Sequence, residues 1–147
     1  MDNLPRDVDR TAPVVAGHEL SISAPAAVVW ELLTAVSSWT SWQPDIVAAR
    51  GPVPLTAGAT FHWETAGFDI ASTVYVADAP RLLRWGGPTQ GITAVHEWVL
   101  TPTGPGTTLV VTEESWDGEV VRADAVNIQQ ALGESLVQWL GHLKSAA

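Results

Sequence analysis

The closing stretch of this chain constrains its fold more than any other part. From residue 117 to 147 there is no proline, and apolar residues recur as Val121, Ala125, Ile128, Leu132, Leu136, Trp139 and Leu143. Steps of three and four trace one stripe of a 3.6-residue helix. Gly118 punctuates its start, while Gly133 and Gly141 each weaken it by roughly 1 kcal/mol relative to alanine. About 28 helical residues would extend some 42 Å at ~1.5 Å per residue. A stripe that long is buried only if a curved sheet wraps along it, so the upstream segments are expected to grip this helix.

Those segments supply the strands. Residues 1–12 are charged and punctuated by proline, which predicts a loose, flexible tail, and residues 13–147 form the single domain. A first strand is expected over 14–23, followed by a helix over 25–36 opened by Ala24-Pro25, with Val28, Val29, Leu32 and Leu33 inside. Trp39-Thr40-Ser41-Trp42-Gln43-Pro44 marks a second short helix or turn. Strands then follow over 45–50, 59–65, 68–77, 81–86, 92–101 and 107–116, separated by glycine- and proline-rich breaks. Strand, two short helices, consecutive strands and one long helix make an α+β domain with an antiparallel sheet.

Composition narrows the partners. A net charge of −9 argues against nucleic acid or an anionic membrane. The absence of cysteine excludes disulfides, thiolate nucleophiles and cysteine-held zinc. No stretch approaches the ~20 apolar residues of a membrane span, and the amino terminus does not read as a signal peptide, so the expected location is cytoplasmic. The oligomeric state, monomer or homodimer, is left open. Eight tryptophans against two phenylalanines and one tyrosine need somewhere to go.

Side-chain alternation says where. Pairing Thr101 with Thr107 puts Ala94, His96, Trp98, Leu100, Val110, Thr112, Glu114 and Trp116 on one face. A two-residue turn at Ala66-Gly67 gathers Phe61, Trp63, Ile70, Ser72, Val74 and Val76 there too, and Leu83 and Trp85 join them. The opposite face carries His62, Glu64, Asp69, Thr73, Tyr75, Arg84, Glu97 and Glu113, as a half-buried sheet requires. A slip of one residue would exchange the two faces.

The rings, with Trp139 from the helix stripe and Trp39 and Trp42 from the small helices, are either a plain core or the walls of a cavity. In a cavity the placed polar groups would be Ser72, His96, Thr112, Glu114 and Gln129. Ile128 and Leu132 would line it from the helix. His96 and Glu114 fall as diagonal neighbours, close enough for a hydrogen bond. Burial should raise the Glu114 pKa and a nearby imidazolium should lower it, giving a tuned proton donor or acceptor or, alternatively, a satisfied polar pair that fixes the sheet. The four histidines (His18, His62, His96, His142) lack ligand spacing, and His62 and His96 point opposite ways, so no metal is expected. No phosphate-binding loop or nucleophile elbow is present, and no cofactor is expected.

These features, taken in order, resemble a known family. The Ala24-Pro25 helix start, Val29-Trp30, Trp39-x-x-Trp42-x-Pro44, Gly58-x-x-Phe61-x-Trp63, His96-x-Trp98, Gly106-Thr107, Glu113-Glu114-Ser115 and the closing Leu140-x-x-Leu143-Lys144 are similar to the START/Bet v 1-like (SRPBCC) superfamily, in particular its bacterial polyketide cyclase/dehydrase-like members. The resemblance implies a helix-grip fold: a curved seven-stranded antiparallel sheet around the carboxy-terminal helix, two short helices at one end, and a deep apolar cavity. It also implies binding of a hydrophobic, aromatic or polyketide-like small molecule. Aromatase/cyclases of this kind tend to use a cavity arginine with tyrosine or serine hydroxyls. Here the inner face offers no arginine and Tyr75 lies outside, so His96 and Glu114 would take that role.

Two functions are compatible with this reading. One is a cofactor-free cyclase or dehydratase, a lyase of natural-product biosynthesis, in which His96 and Glu114 move a proton and Trp39, Trp42, Phe61, Trp63, Val74, Trp85, Trp98 and Trp116 fold the substrate. The other is a carrier or sequestering protein that binds such a compound unchanged. A protein-binding domain would need an exposed apolar patch that the charged outer face does not offer.

Overall fold

The seven strands form one antiparallel sheet, in the order β1-β7-β6-β5-β4-β3-β2. They are β1 Val14–Ile22, β2 Ile46–Arg50, β3 Thr60–Thr65, β4 Phe68–Asp78, β5 Leu82–Thr89, β6 Ile92–Gly104 and β7 Thr107–Asp117. The structure is a computed structural model and describes residues 4–147. Between β1 and β2 lie helix α1, Ala26–Thr34, and a 3-10 turn, Val36–Ser41. The carboxy-terminal helices are α2, Glu119–Ala123, and α3, Ala125–Ala146. This is the helix-grip architecture: a curled sheet holding one long helix, with the short helices at one end.

Proline at the α1 cap wastes no amide, because an N–H there has no partner within the helix. Ala26, Val29 and Leu33 face inward at helical spacing. Val28, expected inside, is exposed, and Leu32 is only partly buried. A nine-residue helix offers a single narrow stripe, and Val28, two residues from Ala26 and one from Val29, falls off it. Thr108 then ties α1 to the sheet by donating to the Ala24 carbonyl at 2.8 Å.

The long helix is shorter than its stripe. The backbone leaves helical geometry at Asp124 (φ −143°, ψ 40°), so α3 has 22 residues and α2 stands apart. The break lets Val121 turn into a cluster with Val14, Ala16, Ile92, Leu132 and Leu136. Farther along, Trp139, Leu140 and Leu143 enter a larger cluster with α1, the 3-10 turn and the sheet.

Strand pairing departs from expectation in three places. Thr101 pairs with Leu109 rather than Thr107, because both strands run on and Gly104 pairs with Thr107. A slip of two preserves the faces but makes His96 and Glu114 direct partners instead of diagonal ones. Strand β5 continues through Gly86-Gly87-Pro88, read from sequence as a break, to a turn at Gln90-Gly91. A bulge between Val74 and Val76 sets Val76 opposite Arg84 and Ala77 opposite Leu83, so Ala77 takes the core position expected of Val76.

Residues 4–13 run over the outer face. Val8 is buried, Asp9 N–H donates to Ser115 Oγ at 3.0 Å, and Arg10 pairs with Glu113 at 2.6 Å. Arg84 bridges Glu97 at 2.6 Å and Asp7 at 3.5 Å, and Arg6 lies over the Tyr75 ring. The first three residues of the segment read as a tail lie outside the described residues.

Gly86 leaves no room for a side chain between β5 and β6. A Cβ there would overlap the Ala94 carbonyl oxygen. Gly86→Ala should therefore cost about 1–3 kcal/mol of stability, read as a lower urea midpoint. An unchanged midpoint would show that β5 and β6 can part at Gly86 without cost.

Candidate functional site

The inner face of the sheet meets α3 in a cluster of rings. Trp139, from the helix, lies 5.4 Å from Trp39, 5.5 Å from Trp98, 5.9 Å from Trp42 and 6.2 Å from both Trp63 and His96, centroid to centroid. Trp39 touches Phe61 and Trp63 edge-to-face and Trp85 at a tilt. Edge-to-face pairs are worth about 0.5–1.5 kcal/mol each beyond the area they bury. Phe61, Val74, Trp85 and Trp98 are buried in this core.

The rings therefore meet each other across the space where a deep cavity was expected. Two clefts lie elsewhere. One of about 420 Å³ separates residues 4–12 from the start of α2. Another of about 170 Å³ lies along β2 and β3 and reaches the rings only at Trp63. Indole side chains, each larger than an aliphatic one, close a curved interior that smaller residues would leave open.

His96 and Glu114 sit against this cluster. His96 is 2% exposed, stacked on Trp98 at 4.9 Å and tilted against Trp85 at 5.0 Å. Its Nδ1 lies 3.3 Å from Glu114 Oε1, and its Nε2 lies 2.8 Å from Thr112 Oγ1. Trp116 donates its indole N–H to Glu114 Oε2 at 2.8 Å. The Glu114 side chain keeps 12% of its surface exposed. Burial pushes Glu114 up to about 7, against the lowering effect of the Trp116 hydrogen bond. Burial likewise pushes His96 down to about 3. Both directions favour the uncharged pair.

The remaining expected site residues divide. Trp63 donates to Ser72 Oγ at 3.0 Å, so these two satisfy each other inside the core. Trp39 donates to the Leu33 carbonyl at 3.2 Å. The indole N–H groups of Trp42 and Trp98 are buried without an acceptor among the described residues. A buried donor left unpaired costs about 1–3 kcal/mol, so both are free to meet an acceptor that enters. Leu132 is buried in the second cluster, against which Trp116 and Ile128 pack half-buried alongside Phe68. Gln129 does not face the rings: its amide accepts from Val15 N–H at 3.1 Å and donates to the Val15 carbonyl. In doing so it covers the open edge of β1. Trp139 was counted from the sequence among the large rings but not among the ligand-contacting residues, yet it touches more rings than any of those. Its place on the same stripe as Leu132 and Leu136 was the available signal.

Comparison with known proteins agrees with this architecture. Residues 15–147 match the family described as "Polyketide cyclase / dehydrase and lipid transport". The chain belongs to this family. No curated protein matches it by sequence. Among solved structures it is similar to a hypothetical protein of Helicobacter pylori (17% identity, 99% of this chain and 96% of that one, TM-score 0.80). It is also similar to a START superfamily protein of Mycobacterium smegmatis (12% identity, 89% and 94% covered, TM-score 0.77). A third is the di-domain ARO/CYC BexL from the BE-7585A biosynthetic pathway (18% identity, 90% of this chain, 45% of that one, TM-score 0.74). At these identities the likeness to the three structures establishes the fold. No helix among the described residues is long and apolar enough to cross a membrane.

The pair should leave a signed trace in stability. Glu114 holds its proton more tightly when folded, so its contribution is complete below about 4.5 and is lost as pH rises through about 7. His96 holds its proton less tightly when folded, so its contribution is present above about 6.5 and is lost as pH falls toward 3. Between these limits the two slopes oppose. Wild-type stability minus that of Glu114→Gln should therefore fall by up to about 3 kcal/mol between pH 4.5 and 7.5, at ~1.4 kcal/mol per pKa unit. The corresponding difference for His96→Phe should rise with pH from 3 to 6.5. Urea titrations across pH measure both, and pH-independent differences would contradict the buried, uncharged pair.

Proposed function

We propose that this protein binds a flat, hydrophobic small molecule at the half-buried inner-face lip formed by Phe68, Trp116 and Ile128, and cyclises or dehydrates it without a cofactor. Glu114 is the group that carries this reading: a carboxyl raised by burial toward neutrality, backed by an imidazole, and still reachable beside Trp116. A group with its pKa near the working pH both gives and takes protons efficiently. Binding begins with Trp116 moving aside, which frees Glu114 Oε2 to face a carbonyl or hydroxyl of the ligand. The carboxyl turns its hydrogen from His96 to that oxygen and donates it, and the carboxylate left behind takes a proton from the ligand's neighbouring carbon, so enolisation or loss of water returns Glu114 to its protonated form. The family description, cyclase, dehydrase and lipid transport, spans this chemistry and plain carriage.

The second reading, a binder that returns its ligand unchanged, is favoured by one observation. Each polar atom of the His96–Glu114 pair already has a partner within the protein.

Mass spectrometry under native conditions identifies compounds that co-purify with the protein, and these are then incubated with it. Wild type should convert them, while the double variant Glu114→Gln/His96→Phe should still quench tryptophan fluorescence on binding but turn over 10²–10⁴-fold more slowly, the usual contribution of a positioned acid–base group. Equal rates in the two proteins would exclude the pair from catalysis. Unaltered compounds with wild type would leave the carrier reading.

A further inference from the structure

Thr112 stood among the residues expected to touch a ligand. It is fully buried, and its hydroxyl makes two contacts: 2.9 Å to the Glu97 carbonyl oxygen and 2.8 Å to His96 Nε2. We infer that Thr112 is a positioning residue that fixes the ring tautomer of His96, and through it the proton shared with Glu114.

The argument needs only the inventory of hydrogens. A carbonyl oxygen can accept and never donate, so the 2.9 Å contact is a hydrogen bond only if the one hydroxyl hydrogen of Thr112 points at Glu97. The hydroxyl then offers His96 a lone pair, and Nε2 must carry the ring hydrogen to fill the 2.8 Å contact. That leaves Nδ1 as a bare acceptor, 3.3 Å from Glu114 Oε1. Two acceptors cannot face each other in a dry interior, so the carboxyl carries a hydrogen between them. The chain therefore runs Glu114 Oε1–H to His96 Nδ1, His96 Nε2–H to Thr112, and Thr112 O–H to the Glu97 backbone. In the reverse arrangement Thr112 donates to Nε2, Nδ1–H donates to a charged carboxylate, and the Thr112 and Glu97 oxygens confront each other at 2.9 Å without a hydrogen. Position 112 thus decides whether Glu114 waits as an acid or as a base. The catalytic meaning of that choice rests on the function proposed above, whereas the tautomer is measurable in ligand-free protein and stands or falls without it.

The experiment uses the full chain carrying 15N-labelled histidine in mildly acidic buffer, with ring-nitrogen shifts recorded by NMR. His96→Phe assigns the signal among the four histidines. Wild type should show Nε2 protonated and Nδ1 bare. Thr112→Val removes the acceptor, so the Nε2-protonated form should be lost as the major species in favour of Nδ1–H. Thr112→Ser restores a hydroxyl and should restore the wild-type pattern. Near-UV circular dichroism of the tryptophans checks that each variant is folded, and Thr112→Ala replaces the valine variant if that one is not. A wild-type ring protonated on Nδ1 or on both nitrogens overturns the inference. So does an unaltered tautomer in the hydroxyl-free variant, or a serine variant that does not recover.

Discussion

The seating of Trp139 among the rings of the sheet is the contact on which this structure depends. It is where the helix stripe meets the concave face, and its neighbours come from β3, β6, the 3-10 turn and Trp42 just beyond it. Each contact is weak alone, but all share one indole, so α3 has one depth and one rotation at which they form together. The adjacent stripe residues, Leu136 and Leu143, are then carried into fully buried positions. Rings from two strands of the curled sheet, β3 and β6, converge on it.

That packing creates the electrical setting of the site. Water is kept from His96 and nearly kept from Glu114, so charge on either is expensive. A lone buried carboxyl beside tryptophans would be a liability. Paired with an imidazole across two strands, it becomes a neutral group holding one movable proton. The ion pairs on the other side of the sheet contrast with it. Arg10–Glu113 and Arg84–Glu97 alternate along the same strands but face outward, where water or other charges screen them. One residue of register separates the two regimes.

Much of this was legible beforehand, for reasons that can be named. Alternation along β6 and β7 identified the inner face, and it survived a two-residue error in pairing because a slip of two keeps parity. The Ala66-Gly67 turn fixed Phe61 against Ser72 and Trp63 against Ile70, since a two-residue hairpin permits one register. Val76 was misplaced because a bulge changes parity and leaves no mark in composition. Gln129 was misread because a polar residue beside an apolar stripe looks the same whether it meets a ligand or the backbone of an edge strand. The helix was read as continuous because its stripe is unbroken, while the break at Asp124 follows from where Val14 and Ile92 wait for Val121.

The sequence by itself determined the architecture and the membership of the inner face, because periodicity and turn chemistry are local and repeat along the chain. It also determined that an acid and an imidazole would share that face. Only the tertiary structure decided that they oppose each other directly, that Thr112 holds the ring from behind, and that the tryptophans fill the interior instead of walling it. Those outcomes depend on ring volumes and on which strand stops where, quantities set by all the contacts at once.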